Sequence, residues 1–188
     1  MSEYQIKELT NEELARLNEE PHQTIFHDDG QIFKLIKSLN EEELRKWKEL
    51  KIHLSTPLRI NLGMFKGDEF VGWCWGFQDS AFKFYMCNSA ILPNHRKKGL
   101  YTRLMNEMLQ KATGLGFQEI FSRHTSTNNA IIIPKLKAGF VITAMEVTDV
   151  FGVLIHLNYF PNKLRQKMME YRVGEIKPDA EIKGLLGI

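Results

Sequence analysis

The spacing of apolar residues changes twice within one stretch of the chain, and this change constrains the fold more than any other feature of the sequence. After Pro57, apolar residues alternate with polar or small ones through three segments, which predicts three strands of an antiparallel meander. Over residues 100–112 they recur at helical spacing, and residues 117–123 return to a strand pattern. A strand, a helix and a strand in this order predict a parallel crossover.

The N-terminal region predicts one short strand and several helices. Residues 4–6 alternate enough to form a strand, and Thr10 with Glu13 forms a capping box that opens a helix ending before Pro21. Residues 31–50 carry apolar residues at helical spacing and contain a second capping box. This region is expected to be either one kinked helix or two short ones.

The C-terminal half continues with one short helix and two more strands. The helix is predicted over about residues 128–137, and the strands over residues 141–150 and 152–159. Residues 161–188 contain one amphipathic helix followed by a tail. We therefore expect an α/β (α+β) domain over residues 3–160 with a mixed central sheet, and a C-terminal helical extension over residues 161–188. A length of 188 residues with 43% hydrophobic residues suits one domain.

Charge and hydropathy exclude several classes of protein. The 25 basic and 23 acidic residues leave a net charge of +2, too small for binding nucleic acid by overall charge. No apolar run approaches the roughly 18 residues of a membrane helix. Residues 1–10 lack the basic flank and apolar core of a signal peptide. We expect a cytoplasmic protein without a membrane partner, either a monomer or a homodimer.

Cysteine and histidine usage argues against disulfides and metal. Cys74 and Cys87 fall on neighbouring predicted strands, placed symmetrically about a turn near Ser80, but a reducing compartment favours two free thiols. The six histidines show no spacing typical of metal ligands, alone or with the cysteines. No metal site is expected.

A basic loop between the third meander strand and the following helix carries the clearest chemical signal. Arg96, Lys97 and Lys98 precede Gly99, and the helix begins directly afterwards. The first N–H groups of a helix lack partners, and a glycine there lets a ligand approach the backbone, so this arrangement suits a phosphate or pyrophosphate. A Walker A loop and a three-glycine dinucleotide fingerprint are both absent from the sequence. A solvated basic loop without a ligand is the alternative.

The segment from Arg96 to Tyr101 resembles the R/Q-x-x-G-x-G/A signature of the GCN5-related N-acetyltransferases, the GNAT superfamily. Arg96 matches the first position and Gly99 the central one, whereas Tyr101 replaces the usual small residue. The predicted order of elements over about residues 3–160 is also that of the family. The resemblance implies a GNAT fold, acetyl-CoA as cosubstrate and a pyrophosphate held by Arg96, Lys97, Lys98, Gly99, Leu100, Tyr101 and Thr102.

A second segment, from Asn128 to the Gly139-Phe140 pair, is similar to another conserved block of the family. The resemblance implies that Asn128 contacts the pantetheine arm or the signature loop. It also implies that the strand before the loop parts from the next parallel strand, so that the backbone of Ala90, Ile91 and Leu92 meets the acetyl and pantetheine groups.

The resemblance gives no complete catalytic set. The family often has a tyrosine proton donor four residues before Gly139, where this chain has Lys135. Lys135 is either a proton donor or a solvent-facing helix residue. The family's frequent glutamate base is missing, because residues 82–92 contain no Asp, Glu or His. His124, Tyr85 and Glu146 acting through water are the remaining candidates, and His124 can equally be structural.

The sequence is compatible with three functions. The first is an acetyl-CoA-dependent N-acetyltransferase, in which a primary amine of a small molecule or protein attacks the thioester directly. The second is a non-catalytic, acyl-CoA-binding regulatory module, which the missing tyrosine and glutamate favour. The third is nucleic-acid binding through His95 and the three basic residues after it, and it is the weakest because so small a patch neutralises few phosphates.

Overall fold

The protein folds around a seven-stranded mixed sheet. The structure, a computed structural model, describes residues 3–26, 39–50 and 54–188. The strand order is β1-β2-β3-β4-β5-β7-β6, and only β4 and β5 are parallel. This arrangement confirms the predicted mixed sheet with an antiparallel meander and a parallel crossover. The strands are β1 Tyr4–Glu8, β2 Arg59–Lys66, β3 Glu69–Gln78, β4 Lys83–Ile91, β5 Glu119–Thr125, β6 Val141–Thr148 and β7 Gly152–Tyr159.

Six α-helices accompany the sheet in the described part of the chain, and a single 3₁₀ turn, Pro93–His95, lies between β4 and the third of them. Both predicted capping boxes are present, each with reciprocal hydrogen bonds of 2.8–3.1 Å. The helices are α1 Asn11–Ile25, α2 Glu41–Leu50, α3 Leu100–Gly114, α4 Asn129–Lys137, α5 Lys163–Arg172 and α6 Ala180–Leu186.

The prediction that the first helix ends before Pro21 is wrong, because α1 continues through this proline to Ile25. Proline removes one backbone hydrogen bond of the helix. Ile25 and Phe26 compensate by packing against a cluster that contains Leu14 and Trp73. Residues 31–38 of the next predicted helical region lie outside the described residues, and α2 forms its last part.

Each face of the sheet is covered by different helices. α3 and α4 pack on one face, where residues such as Met64, Phe84 and Ile120 form the main core. α1 packs on the other face, over Trp73 of β3. Successive strand residues point to opposite faces of the sheet. Because helices cover both faces, both sets of side chains on these strands are largely apolar.

The C-terminal extension contains more structure than its sequence pattern indicates. The predicted tail forms α6, which is capped by Asp179 and buries Ile182 completely. A helix of seven residues is too short to show a clear apolar period. Arg165 of α5 connects the extension to the sheet by bonds to the Gln118 carbonyl (2.7 Å) and the Glu119 carboxylate (3.1 Å).

The two cysteines do not face each other, although their sequence positions suggest it. A bulge between Trp75 and Gly76 adds one residue to the facing strand, so Cys74 lies opposite Ser89 and Cys87 is skipped by the pairing. Both are free thiols. Burial raises the pKa of Cys74 to about 12 and that of Cys87 to about 11.

Candidate functional site

The parallel strands β4 and β5 separate after a short paired stretch. They pair at only three positions, from Lys83 with Glu119 to Tyr85 with Phe121. Beyond these residues β4 continues along β3 to Ile91, while β5 continues along β7. The inner edge of β4 therefore has no partner strand from Met86 onward among the described residues. We call this gap between β4 and β5 the opening.

A cavity of about 590 Å³ lies at the end of the opening where β4 ends, near Ile91. Its walls come from the end of α1, the last residues of β4, the basic loop and the first turns of α3 and α4. Elements distant in the sequence thus meet at one site. Nine of the eleven predicted cofactor-binding residues line the cavity, namely Ala90, Ile91, Arg96, Lys97, Gly99, Leu100, Tyr101, Thr102 and Asn128.

The backbone conformation of the basic loop leaves the start of α3 accessible to an anion. Gly99 caps the helix in the left-handed conformation, with φ 71° and ψ 5°, and Lys97 also has a positive φ of 61°. A side chain at Gly99 would project into open space, since no described atom lies within 4 Å of the place its Cβ would take. The N–H groups of Leu100, Tyr101 and Thr102 lack partners within the helix. Together they form a concave site open to a phosphate group.

The three basic side chains of the loop do not act as one patch. Arg96 donates from Nε to the Ile91 carbonyl at 2.9 Å, which holds its guanidinium against the end of β4. Lys98 instead donates to the Tyr4 hydroxyl at 3.1 Å, away from the cavity. This divergence weakens the nucleic-acid interpretation further, because a nucleic-acid surface needs contiguous charge.

Two of the predicted contacts are not brought to the cavity. Lys98 is turned toward β1, as described above, and Leu92 uses its backbone N–H to donate to the Val71 carbonyl at 2.9 Å. Behind the loop, the buried His95 makes two contacts that the sequence does not indicate: it lies 3.2 Å from the Tyr4 hydroxyl and 3.3 Å from the Glu69 carboxylate. Tyr4 precedes His95 by 91 residues, so no local pattern could indicate the pair.

Two polar side chains on the cavity wall have free hydrogen-bonding capacity. The Tyr101 hydroxyl is buried beside the Ser89 side chain, and burial raises the pKa of this phenol. Asn128 precedes α4, but its side chain does not cap that helix. A buried hydroxyl with incomplete hydrogen bonding is costly unless a ligand completes it. These groups fit the amide-rich arm of a coenzyme.

Lys135 is the most unusual residue near the opening. The expectation that it faces solvent is wrong, because its side chain is only 1% exposed. Its Nζ donates to the Ser122 hydroxyl at 2.8 Å and lies 3.8 Å from the Met86 sulfur. Met86 and Ser122 directly follow the last paired residues of β4 and β5, so the ammonium lies at the start of the opening. Burial lowers the pKa of Lys135 to about 7.

His124 and Tyr85, the other candidates, differ from Lys135 in position and chemistry. His124 Nε2 lies 3.0 Å from the same Ser122 hydroxyl, and burial together with the nearby Lys135 lowers its pKa to about 3. The imidazole is thus neutral at physiological pH and too weak a base to hold an ammonium proton. Tyr85 points to the opposite sheet face, where its ring stacks on Phe121 and burial raises its pKa.

A helix start with free N–H groups beside two parting parallel strands is an arrangement that can accept a phosphorylated ligand along a sheet opening. The sequence matches the model of the Acetyltransferase (GNAT) family over residues 12–140, which is more than half of the chain. The chain therefore belongs to the GNAT acetyltransferase family. A comparison with curated proteins finds no match.

Solved structures agree with this fold. A Salmonella typhimurium protein described as an acetyltransferase and solved with acetyl-CoA is 15% identical, with a TM-score of 0.62 over 86% of this chain and 96% of its own. The ribosomal-protein-S18-alanine N-acetyltransferase of Escherichia coli is 15% identical, with a TM-score of 0.55 over 84% and 93%. NAA60 of Arabidopsis thaliana, solved with a bisubstrate analogue, is 14% identical, with a TM-score of 0.57 over 84% and 97%.

Two further structural findings concern membranes and metals. Within residues 3–26, 39–50 and 54–188, the helices are all too short or too polar to cross a bilayer. The same residues include no group of three or more His, Cys, Asp or Glu side chains arranged to hold a metal ion.

Proposed function

We propose that this protein transfers the acetyl group of acetyl-CoA to a primary amine. In this reaction the amine nitrogen bonds to the carbonyl carbon, the carbon–sulfur bond breaks, coenzyme A leaves as the thiol and the nitrogen loses one proton. The observation that carries the proposal is the opening between β4 and β5, with the 590 Å³ cavity and the free helix start at its end. Family membership supports acetyl transfer in general.

The lining residues suit the parts of acetyl-CoA, which supplies the activated acetyl thioester when bound. The N–H groups at the start of α3 and the guanidinium of Arg96 would hold the pyrophosphate by charge-assisted hydrogen bonds. Gly99 permits the close approach. The buried Tyr101 hydroxyl and the Asn128 amide would serve the pantetheine arm.

Lys135 is the proposed proton donor. A lysine with a pKa of about 7 holds its proton in roughly half of the molecules near neutral pH. It can pass this proton to the leaving thiolate, because an ordinary thiol has a higher pKa, about 8.5. Its position at the start of the opening, between Met86 and Ser122, places it where the two strands part. Ser122 orients the ammonium and can accept its hydrogen bond.

Among the residues that the structure describes, none is a strong general base at the opening. Residues 82–92 contain no Asp, Glu or His, and the imidazole of His124 is a very weak base. Glu146 bonds to His156 at 2.6 Å, and this bond lowers the pKa of the carboxyl group. The amine proton is therefore proposed to leave through water, with Glu146 as the candidate to receive it.

The same observation favours a second candidate function, a module that binds acyl-CoA without turnover. The two candidates are separated by a thiol-release assay with acetyl-CoA and a panel of primary amines, run beside calorimetric titration of CoA. Amine-dependent thiol release supports the enzyme. CoA binding with no release above the hydrolytic background for any amine supports the binding module, and absence of CoA binding contradicts both.

A further inference from the structure

Four aromatic side chains form a continuous row across three strands. Neighbouring ring centroids lie 6.3, 5.5 and 4.9 Å apart along the row. All four rings are half-buried, whereas Trp73 on the same face of β3 is fully buried under α1. We call this half-buried continuation of the α1 face the aromatic row; it consists of Trp75, which packs at the edge of the α1 cluster, and of Phe77, Tyr85 and Phe121.

The aromatic row leads directly to the opening. Tyr85 and Phe121 are the last paired residues of β4 and β5, so the opening begins beside their rings. At the other end, Phe77 lies opposite Tyr85 and Trp75 lies opposite Asn88, so β4 separates these two β3 residues from the opening. A molecule lying flat on the row therefore has one end at the opening. Aromatic and planar groups gain stacking and apolar contact on such a surface.

Two arginines lie over the aromatic row, and only one of them is neutralised. Arg123 lies 5.2 Å from the Tyr85 ring centroid and pairs with the Glu146 carboxylate at 3.4 Å. Arg59 lies 4.5 Å from the Trp75 ring centroid and is exposed. None of the described carboxylates pairs with Arg59. Within the described part of the chain, Arg59 thus leaves a positive charge without a counterion over β3, across β4 from the opening.

The distance between Arg59 and the opening limits the shape of a ligand. Arg59 lies over a ring of β3, and the opening lies on the far side of β4. Neighbouring strands are about 4.8 Å apart, so the two points are separated by one to two strand spacings, about 5–10 Å. An α-amino acid is too short to place its amino group at the opening and its carboxylate at Arg59.

We propose that the acceptor is a primary amine carried on an aromatic body, with an anionic group about 5–10 Å from the amino nitrogen. The ring lies on the aromatic row, the anionic group pairs with Arg59, and the amino group enters the opening. This inference rests on the proposed function, because the bound amine is an acceptor only if the protein transfers an acetyl group. The binding site itself can be tested without turnover.

Three probes separate the elements of the proposal. The compound 4-(aminomethyl)benzoate carries an amine, a ring and a carboxylate, while benzylamine lacks the carboxylate and 6-aminohexanoate lacks the ring. Their affinities are measured by calorimetry on the full chain saturated with CoA. We expect 4-(aminomethyl)benzoate to bind at least 10-fold more tightly than either of the other two.

The variant Arg59→Met tests the anionic contact. It should weaken binding of 4-(aminomethyl)benzoate about 10-fold or more and leave benzylamine unchanged, because benzylamine has no group for Arg59. Arg172→Met removes an exposed arginine of α5 and should change neither affinity. Unchanged CoA affinity in both variants shows that they are folded.

The inference is overturned when the three probes bind equally, when none binds, or when the preference for the carboxylate survives in Arg59→Met. These outcomes are independent of turnover. Thiol release with 6-aminohexanoate but not with 4-(aminomethyl)benzoate would keep the acetyltransferase and reject this acceptor class. Binding of 4-(aminomethyl)benzoate with loss in Arg59→Met, but without thiol release, would keep the acceptor site and reject catalysis.

Discussion

The ammonium nitrogen of Lys135 lies 2.8 Å from the hydroxyl oxygen of Ser122, at the point where β4 and β5 separate. No carboxylate among the described residues pairs with this buried cation, whose other neighbours are the Met86 sulfur and the Phe140 ring. Neutral partners compensate little of the cost of burying a charge. Stability and catalysis are therefore both expected to depend on the protonation of this one side chain.

Lys135→Met is expected to stabilise the protein at pH 6. Below pH 7 the lysine is protonated in the folded and the unfolded state, and the folded state carries the whole cost of the buried charge. Between pH 7 and 10.5 only the unfolded chain holds the proton, so the free energy of unfolding of the native protein rises with pH. The gain from the substitution should be a few kcal/mol, with an upper limit of about 5 kcal/mol, and should vanish near pH 10.

Chemical denaturation of both proteins between pH 6 and 10 measures this gain. Lys137→Met, which removes an exposed lysine of the same helix, is the control and should show no such dependence. A gain that does not change with pH would mean that Lys135 keeps an ordinary pKa in the folded protein.

Lys135→Met is also expected to lower kcat for acetyl transfer by about 100-fold or more, the usual contribution of general acid catalysis. The affinity for CoA should stay unchanged, since Lys135 does not line the cavity. The native enzyme should lose activity as pH rises through about 7, because the proton donor becomes neutral. Lys135→Tyr restores a donor and should recover part of kcat. Retention of the same alkaline limb in Lys135→Met would assign it to another group.

Gly99→Val is expected to abolish CoA binding at every salt concentration. The valine would strain a backbone with φ 71° and fill the space through which a pyrophosphate approaches the helix start. Gly174→Val is the matched control, because Gly174 has φ 81° and open surroundings but lies outside the cavity. Calorimetric titration of CoA compares the two variants. Native affinity in Gly99→Val would refute the anion site.

Arg96→Ala is expected to weaken CoA binding by about 1–3 kcal/mol, the range for losing a hydrogen bond to a charged group. The loss should shrink as salt rises, because ions screen the attraction to the pyrophosphate. Lys98→Ala should have a smaller effect, since Lys98 is bonded to the Tyr4 hydroxyl. Titrations at two ionic strengths test both variants. Equal losses would show that the loop rearranges when CoA binds.

Both cysteines are expected to titrate as free thiols in the denatured, unreduced protein. In the native protein Cys74 should be unreactive and Cys87 slow near neutral pH, because burial raises the pKa of both and leaves little thiolate. A thiol-reactive dye with absorbance detection follows the two rates. Recovery of no thiols after denaturation would indicate a disulfide, which the pairing of Cys74 with Ser89 argues against.

The sequence alone determined the elements whose signals are local. The meander follows from alternation within each strand, and the two capping boxes follow from residues only three positions apart. The proposed anion site rests on a glycine at the start of α3. Such features depend on hydrogen bonds and on the spacing of apolar residues within a few positions of the chain, so one sequence suffices to predict them.

Tertiary structure alone decided which side chains reach the site. Strand pairing ends after Tyr85, and the register of β3 against β4 sets Cys74 opposite Ser89, because register depends on packing partners from elsewhere in the chain. Lys135 looks like a surface lysine in sequence, yet packing of α4 against β4 and β5 buries it. Its pKa depends on removal from water, a property that exists only once distant segments have closed around it.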